Sequence, residues 1–236
     1  MHSRISEALR GYELVDLSHM LDDEVPAAYR MYNRITWMTA SICDRFNAAM
    51  LLVFEHAGTH VDAPTHLASV SGPTIEETPL EQWMGDCCVI RIRGVEHDGL
   101  VKVSDIQLWE RENGQIGEGD FVLFDFGWPS GWTPAANSEG MYGYKRNPGL
   151  SEEAAKYLVS KSIGLVGCDV PSIDSYLDEQ SVAHRVILEN KVALLETLSN
   201  LDKVPPKGAF LIAFPLRIKG GSGSPVRAVA FVPRDR

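Results

Sequence analysis

The sequence predicts an α/β domain built on a mixed sheet, and three observations carry that expectation. Short apolar runs rich in strand formers recur along the chain. A helical pattern is followed by an apolar strand twice, over residues 151–170 and 179–198. The last two strand-like runs are separated by KGGSGSP, turn chemistry that suits an antiparallel pair. With 236 residues, 44% hydrophobic and 23% charged, the chain can bury a full core and is expected to form one domain over residues 1–236.

In chain order, strands are expected at residues 13–18 (ELVDLS) and 48–55 (AAMLLVFE), the second running straight into a histidine cluster. Further strands are expected at 87–93 (CCVIRIR), 121–126 (FVLFDF), 163–170 (IGLVGCDV), 192–198 (VALLETL), 209–215 and 227–232. Helices fit 103–113, with Ser104 or Asp105 near the start, and 151–160, with Ser151 as N-cap and Glu152 and Glu153 in the first turn. A third helix fits 179–189, closed by Asn190. The least regular segment, 127–149, carries Trp128, Trp132, Tyr142 and Tyr144; it reads as a surface loop or as an aromatic lid in which Trp128 and Trp132 bind substrate.

Charge and cysteine usage narrow the partners. A net charge of −10 with scattered Lys and Arg offers no basic face for a nucleic acid. Cys43, Cys87, Cys88 and Cys168 show no CxxC spacing, which suits reduced thiols in a cytoplasm. No stretch approaches the ~20 apolar residues of a membrane span, and residues 1–7 lack an apolar signal core, so a soluble cytoplasmic protein is expected.

The chemistry concentrates in EHAGTHVDAPTHL, residues 55–67, where His56, His60, Asp62 and His66 are separated by 4, 2 and 4 residues. A helix would put Asp62 about 240° round from His56 at ~100° per residue, and Pro64 would break it. An extended chain points all four side chains to one side, with neighbours such as His60 and Asp62 ~6.6 Å apart. His56 and His60 would span ~13 Å if fully extended, so the chain must bend between them to share an ion, and Gly58 permits the bend. Imidazoles with a carboxylate suit zinc, manganese, iron or another transition metal rather than magnesium or calcium. Three protein ligands leave room for a water. A bound divalent ion lowers the pKa of that water towards ~7 and polarises a carbonyl, so hydrolysis by hydroxide is the natural reaction.

The same residues carry a resemblance. HAGTHVDAPTH resembles the signature of the cyclase family of metal-dependent hydrolases, which includes bacterial kynurenine formamidases and isatin hydrolases. VDLSHML at Val15, PGLSEEAAKYLV at Pro148, VGCDVPSIDS at Val166 and PLRIKGGSGSPVRAVAFV at Pro215 extend the resemblance over most of the chain. It implies a swivelling β/β/α fold, a homodimer or homotetramer, and one or two zinc ions, with manganese as the alternative. It implies His56, His60 and Asp62 as ligands of the first metal and His66 as the catalytic acid/base. His184 on a helix and Glu196 twelve residues later match the second-metal ligands, with Asp62 bridging. Read on its own, Glu196 inside VALLETL is costly to bury unless it is paired or ligates a metal.

Asp169, Ser172 and Asp174 read either as partners that orient a ligating His or as a capped turn. His19 and His97 have no partner spacing. Gly220, Gly221 and Gly223 resemble a phosphate loop only weakly, because no Walker pattern accompanies them. The expected activity is hydrolysis of the carbon–nitrogen bond of a small amide or cyclic amide, N-formylkynurenine-like or isatin-like, with His66 shuttling the proton. A lactone hydrolase, a non-haem iron oxygenase using His60, Asp62 and His184, and a non-catalytic metal-binding module stay open beside it.

Overall fold

Runs that are apolar on both faces need cover on both faces, and FVLFD and LVGC, two such runs, lie at the centre of a sheet with a core on each side. The computed structural model describes residues 3–21, 38–42, 46–95, 99–128 and 147–234, with residues 38–50 described by backbone alone. The strands in chain order are β1 Tyr12–Asp16, β2 Met38–Ile42, β3 Phe46–Met50, β4 His60–Asp62, β5 Met84–Arg91, β6 Leu100–Val101 and β7 Phe121–Asp125. They continue with β8 Gly149–Leu150, β9 Leu165–Cys168, β10 Ala193–Glu196, β11 Ala209–Ile212, β12 Gly223–Pro225 and β13 Val229–Pro233. The helices are α1 Arg4–Leu9, α2 Val103–Asn113, α3 Glu152–Ser160 and α4 Val182–Glu189.

The main sheet has the order β1-β13-β11-β5-β7-β9-β10-β4-β12. Its centre, β5-β7-β9-β10, is parallel, and the strands on either side are antiparallel, so the sheet is mixed as expected. Strand alternation sorts the apolar side chains between two cores. Cys88, Ile90, Val122, Phe124, Val166 and Leu194 pack under α2, α3 and α4 with Ile106, Leu158 and Ile187. Cys87, Val89, Phe121, Leu123 and Leu195 face the other way and meet Val15, Leu211, Ala230 and Val61, which come from strands towards both ends of the sheet. The sheet therefore curls around this second core. Beyond β1, the His19 backbone N–H donates to Thr59 Oγ1 at 2.9 Å, and Val226 N–H donates to Thr59 O at 3.0 Å, which ties the two ends together beside β4.

The helix boundaries follow their caps. Ser151 Oγ accepts from Ala154 N at 3.1 Å, as expected, and Asp105 closes the start of α2 by accepting from Lys102 N at 2.8 Å. Helix α4 begins at Val182, not at residue 179, because the carboxylates of Asp178 and Asp174 accept from Val182 N and Ala183 N. Two expectations need correction. The strand expected over 48–55 stops at Met50 in a separate β2–β3 pair, and Leu51 and Leu52 lie exposed, so the histidine cluster does not begin at a strand end. Strands β11 and β13 do pair antiparallel, but KGGSGSP is not a simple turn between them: it contributes β12, which pairs with β4. No described helix is long and apolar enough to cross a membrane.

Gly149 shows how closely β8 is packed against the loop that follows β9. A Cβ there would meet the backbone of Asp174 and Ser175 and lie 2.6 Å from Ile173 O. Gly149→Ala is expected to lower stability by about 1–3 kcal/mol, the usual range for overpacking, as read from urea denaturation midpoints.

Candidate metal centre

Strand β4 is the platform of the site. Val61 points into the second core, so His60 and Asp62, its neighbours on either side, point together to the opposite face. The register with β10 sets Glu196 directly across from His60, and the register with β12 sets Gly223 across from Asp62. Gly58 takes φ +60°, the left-handed turn the sequence called for between His56 and His60. His60 Nδ1 lies 2.9 Å from Gly58 O, which makes Nδ1 the donor and leaves Nε2 to face the carboxylates.

The extended geometry expected for all four side chains holds only for His60 to Asp62. After Ala63 the chain turns through a single 3₁₀ turn, Pro64–His66, with Pro64 at its start, where its missing N–H costs nothing. That turn brings the His66 ring to 3.9 Å from the His56 ring and 6.0 Å from His184, measured between centroids. Helix α4 supplies His184 from the other side. Its Nδ1 lies 2.6 Å from Asp174 Oδ2, while Asp174 Oδ1 accepts from the backbone of Ala183 and His184, so one carboxylate caps the helix and orients the ring. Asp174 thus forms the capped turn and also orients the His184 ring.

The resulting cluster is buried and centred on Asp62, which is 0% exposed. Asp62 Oδ1 lies 2.6 Å from His56 Nδ1 and 3.4 Å from His60 Nε2. His184 Nε2 lies 3.7 Å from Asp62 Oδ2 and 3.4 Å from Glu196 Oε1, and His60 Nε2 lies 3.7 Å from Glu196 Oε2. Two triplets of donors each fall within 4.8 Å of one another and share Asp62: His56, Asp62 and His66, and His60, Asp62 and Glu196. Asp62 Oδ2 makes no hydrogen bond among the described residues, although it is fully buried. A buried carboxylate oxygen without a donor is expensive, and imidazoles with carboxylates are the donor set of a transition-metal ion. The residues present fit such an ion.

Without an ion the charges are strongly perturbed. Burial alone would raise the Asp62 carboxyl, but His66, His56 and His60 around it hold it well below the usual carboxylate range. Burial pushes His60 down to about 4. Burial also disfavours charge on His184, yet Glu196, Asp174 and Asp62 outweigh it and hold the ring well above its ordinary value. Burial, with Asp62 adding to it, raises Glu196 to about 8. For His66 the pull of Asp62 is upward, and burial with the neighbouring His56 and His184 brings it below the ordinary histidine value.

The cluster forms the floor of a cavity of about 350 Å³. Phe54, Leu67 and Tyr176 give it apolar walls, and Asn147, Ser172 and Ser175 give it polar ones. Trp128 lies instead in the core beneath the helices and is not among the residues lining this cavity, which departs from the substrate-binding expectation; Trp132 lies outside the described residues, as do Cys43 and His97. The reason for the Trp128 placement is Asp169, whose carboxylate accepts from Phe126 N and Trp128 N and ties that backbone to the end of β9. Asn147 was not singled out from the sequence: its amide donates to the carbonyls of Pro148, Ser172 and Asp174 and so braces the loop that orients His184. A lone Asn before a proline carries no sequence signal for that role.

Comparison with known proteins gives the family. The family model described as "Putative cyclase" matches residues 15–175. The chain belongs to the cyclase family. The isatin hydrolase of Roseibium aggregatum is 32% identical over 200 residues, 78% of this chain and 74% of that protein. The kynurenine formamidase of Erythrobacter litoralis is 30% identical over 190 residues, 78% of this chain and 76% of that protein. Among solved structures, isatin hydrolase A from Labrenzia aggregata bound to benzyl benzoate superposes with a TM-score of 0.86 at 29% identity, covering 98% of this chain and 100% of that one. The mixed sheet with its packed helices is thus the architecture of a cyclase-family fold.

Ligation requires deprotonated donors, and with no ion present the buried His184–Glu196 pair is shifted upward at both groups, so that together they hold at least one proton near neutral pH. Binding of zinc to the metal-free protein is therefore expected to release protons near pH 7, and affinity is expected to rise as pH rises from 6 to 8. Calorimetric titrations in buffers of different ionisation heat read the proton count directly; a count of zero contradicts the assignment.

Proposed function

We propose that this cyclase-family chain is a metal-dependent hydrolase of small amides, cleaving the carbon–nitrogen bond of an isatin-like cyclic amide or an N-formylkynurenine-like aryl amide. The observation that carries the reading is the buried, unbonded Oδ2 of Asp62 at the centre of a histidine and carboxylate cluster that opens into a small cavity. Relatives named isatin hydrolase and kynurenine formamidase support the same reaction class. In this reading His56, His60 and Asp62 would hold one ion, and His184 and Glu196, with Asp62 beside them, would hold a second; zinc is the first choice and manganese the alternative. A divalent ion there would supply Lewis acidity and a water of lowered pKa.

The chain's own residues do the rest. Asp174 and the Gly58 carbonyl lock His184 and His60 so that each presents Nε2 to the carboxylates. The half-enclosed cavity limits water around a bound substrate, and its volume falls in the range of small-molecule sites, ~300–1,000 Å³. Phe54 and Tyr176 offer faces for a planar ring. His66 lines the same cavity, and burial with its histidine neighbours favours its neutral form, which suits it to take a proton and deliver it to the leaving nitrogen. A second reading has one observation behind it: His66 groups with His56 and Asp62 within ligand distance, which would make it a ligand. A lactone would fit the same residues, and a cyclic ester belongs in the substrate screen. The oxygenase alternative uses His60, Asp62 and His184 but leaves Glu196 idle beside them; oxygen consumption during turnover would be its mark.

Two outcomes test the proposal. Dialysis against a chelator should abolish hydrolysis of isatin and N-formylkynurenine, and zinc or manganese should restore it; full activity in metal-free protein contradicts it. His66→Ala should keep the zinc content of the wild type and lose roughly 10²–10⁴-fold in kcat, the contribution of a positioned acid/base. Loss of zinc in that variant assigns His66 to the ligands.

A further inference from the structure

The glycine-rich stretch that resembled a phosphate loop has a different setting in the fold. Strand β12 brings Ser222 and Gly223 against His56. A Cβ on Gly223 would collide with His56 Cε1 and lie 2.8 Å from Nδ1, so this position has to lack a side chain for the ring to sit where it does. A Cβ on Gly221 would lie 3.2 Å from Glu55 Oε1. Between these two glycines, Ser222 is held by Glu55: its backbone N–H donates to Glu55 Oε2 at 3.1 Å and its hydroxyl donates to the same oxygen at 2.9 Å. His56 Nε2 lies 3.2 Å from Ser222 Oγ.

The direction of these bonds follows from donor counting. A carboxylate only accepts, so the single proton of the Ser222 hydroxyl is spent on Glu55. Its oxygen is then left to accept, and His56 Nε2 has to be the donor. That fixes the proton of a neutral His56 on Nε2 and leaves the Nδ1 lone pair facing Asp62 Oδ1, 2.6 Å away. Two acceptors at that separation repel unless a cation lies between them, either a proton or a metal ion.

We infer that Glu55 and Ser222 are positioning residues that set the His56 tautomer, making Nδ1 the metal-donating nitrogen. The inference rests on the metal-centre reading above and adds a carboxylate–serine–histidine relay to it. A partner that accepts the ring N–H also makes the opposite nitrogen a better donor, and loss of such a partner typically costs 10–100-fold in metal affinity. Nearby Asp174 serves His184 and the Gly58 carbonyl serves His60, but both of those contacts place the ring proton on Nδ1 and present Nε2. His56 is thus set in the opposite sense to the other two rings.

The test uses the metal-free full chain and zinc alone as the probe. Zinc affinity is measured by competition with a chelating dye, and the ring protonation of His56 is read from ¹⁵N imidazole NMR, the signal being assigned by its absence in His56→Gln. Wild type is expected to show His56 protonated on Nε2 when neutral. Ser222→Ala and Glu55→Gln are expected to bind zinc roughly 10–100-fold more weakly, with Ser222→Thr, which keeps the hydroxyl, restoring affinity. A His56 protonated on Nδ1 in wild type, or zinc affinity within twofold of wild type in a folded Ser222→Ala or Glu55→Gln protein, overturns the inference. Should Ser222→Ala fail to melt cooperatively, Glu55→Gln and the wild-type spectrum decide. Asp62→Ala separates the two levels: retention of zinc there sinks the metal centre itself, whereas its loss beside unchanged affinity in Ser222→Ala sinks only the relay.

Discussion

One buried carboxylate organises the molecule. Asp62 is fully out of solvent, has one oxygen without a hydrogen-bond donor among the described residues, and is ringed by four histidines. Removing a carboxylate from water costs several kcal/mol unless fixed positive charge replaces the solvent. The His184 ring, held well above its ordinary value, is that replacement in part, and an ion bound beside Asp62 would complete it. Every neighbouring feature can be read as holding some group at the right distance from this one side chain.

The fold achieves this by register. Strand β4 is only three residues long, yet it is paired on both edges, so His60 and Asp62 cannot exchange faces with Val61 without unmaking both ladders. The same pairing delivers Glu196 opposite His60 and the glycine-rich β12 opposite Asp62. Helix α4 packs on the face of the sheet to which His60 and Asp62 point and is held at its first turn by Asp174, which makes the helix cap and the orientation of His184 a single interaction. Precision at the site is thus a consequence of secondary structure that ends there, rather than of loops tuned one by one.

Much of this was legible beforehand, for reasons that are physical. The H-x3-H-x-D-x3-H spacing, the need for a bend at Gly58 and the cost of burying Glu196 in VALLETL are local facts, and the structure brings all of these side chains together. What escaped depends on contacts distant in sequence. The apolar run 51–54 looks like a strand by composition, but strand formation needs a partner edge, and the strand ends at Met50. The reach of His66 comes from a 3₁₀ turn that Pro64 starts, not from the even spacing that first placed it with the others. Trp128 sits in an aromatic loop and so reads as part of a lid, whereas Asp169 anchors its backbone into the core. KGGSGSP reads as a connector by composition, and only the pairing of β12 with β4 reveals what it lies against.

The proposed metal centre depends on Asp62 as its shared ligand, and diffraction tests that most directly. Crystals grown with zinc and measured on both sides of the zinc absorption edge should show anomalous density within about 2.2 Å of an Asp62 carboxylate oxygen, flanked by His56 and His60 or by His184 and Glu196. Anomalous density confined to other sites, with the Asp62 carboxylate bound only to protein donors or water, would contradict it.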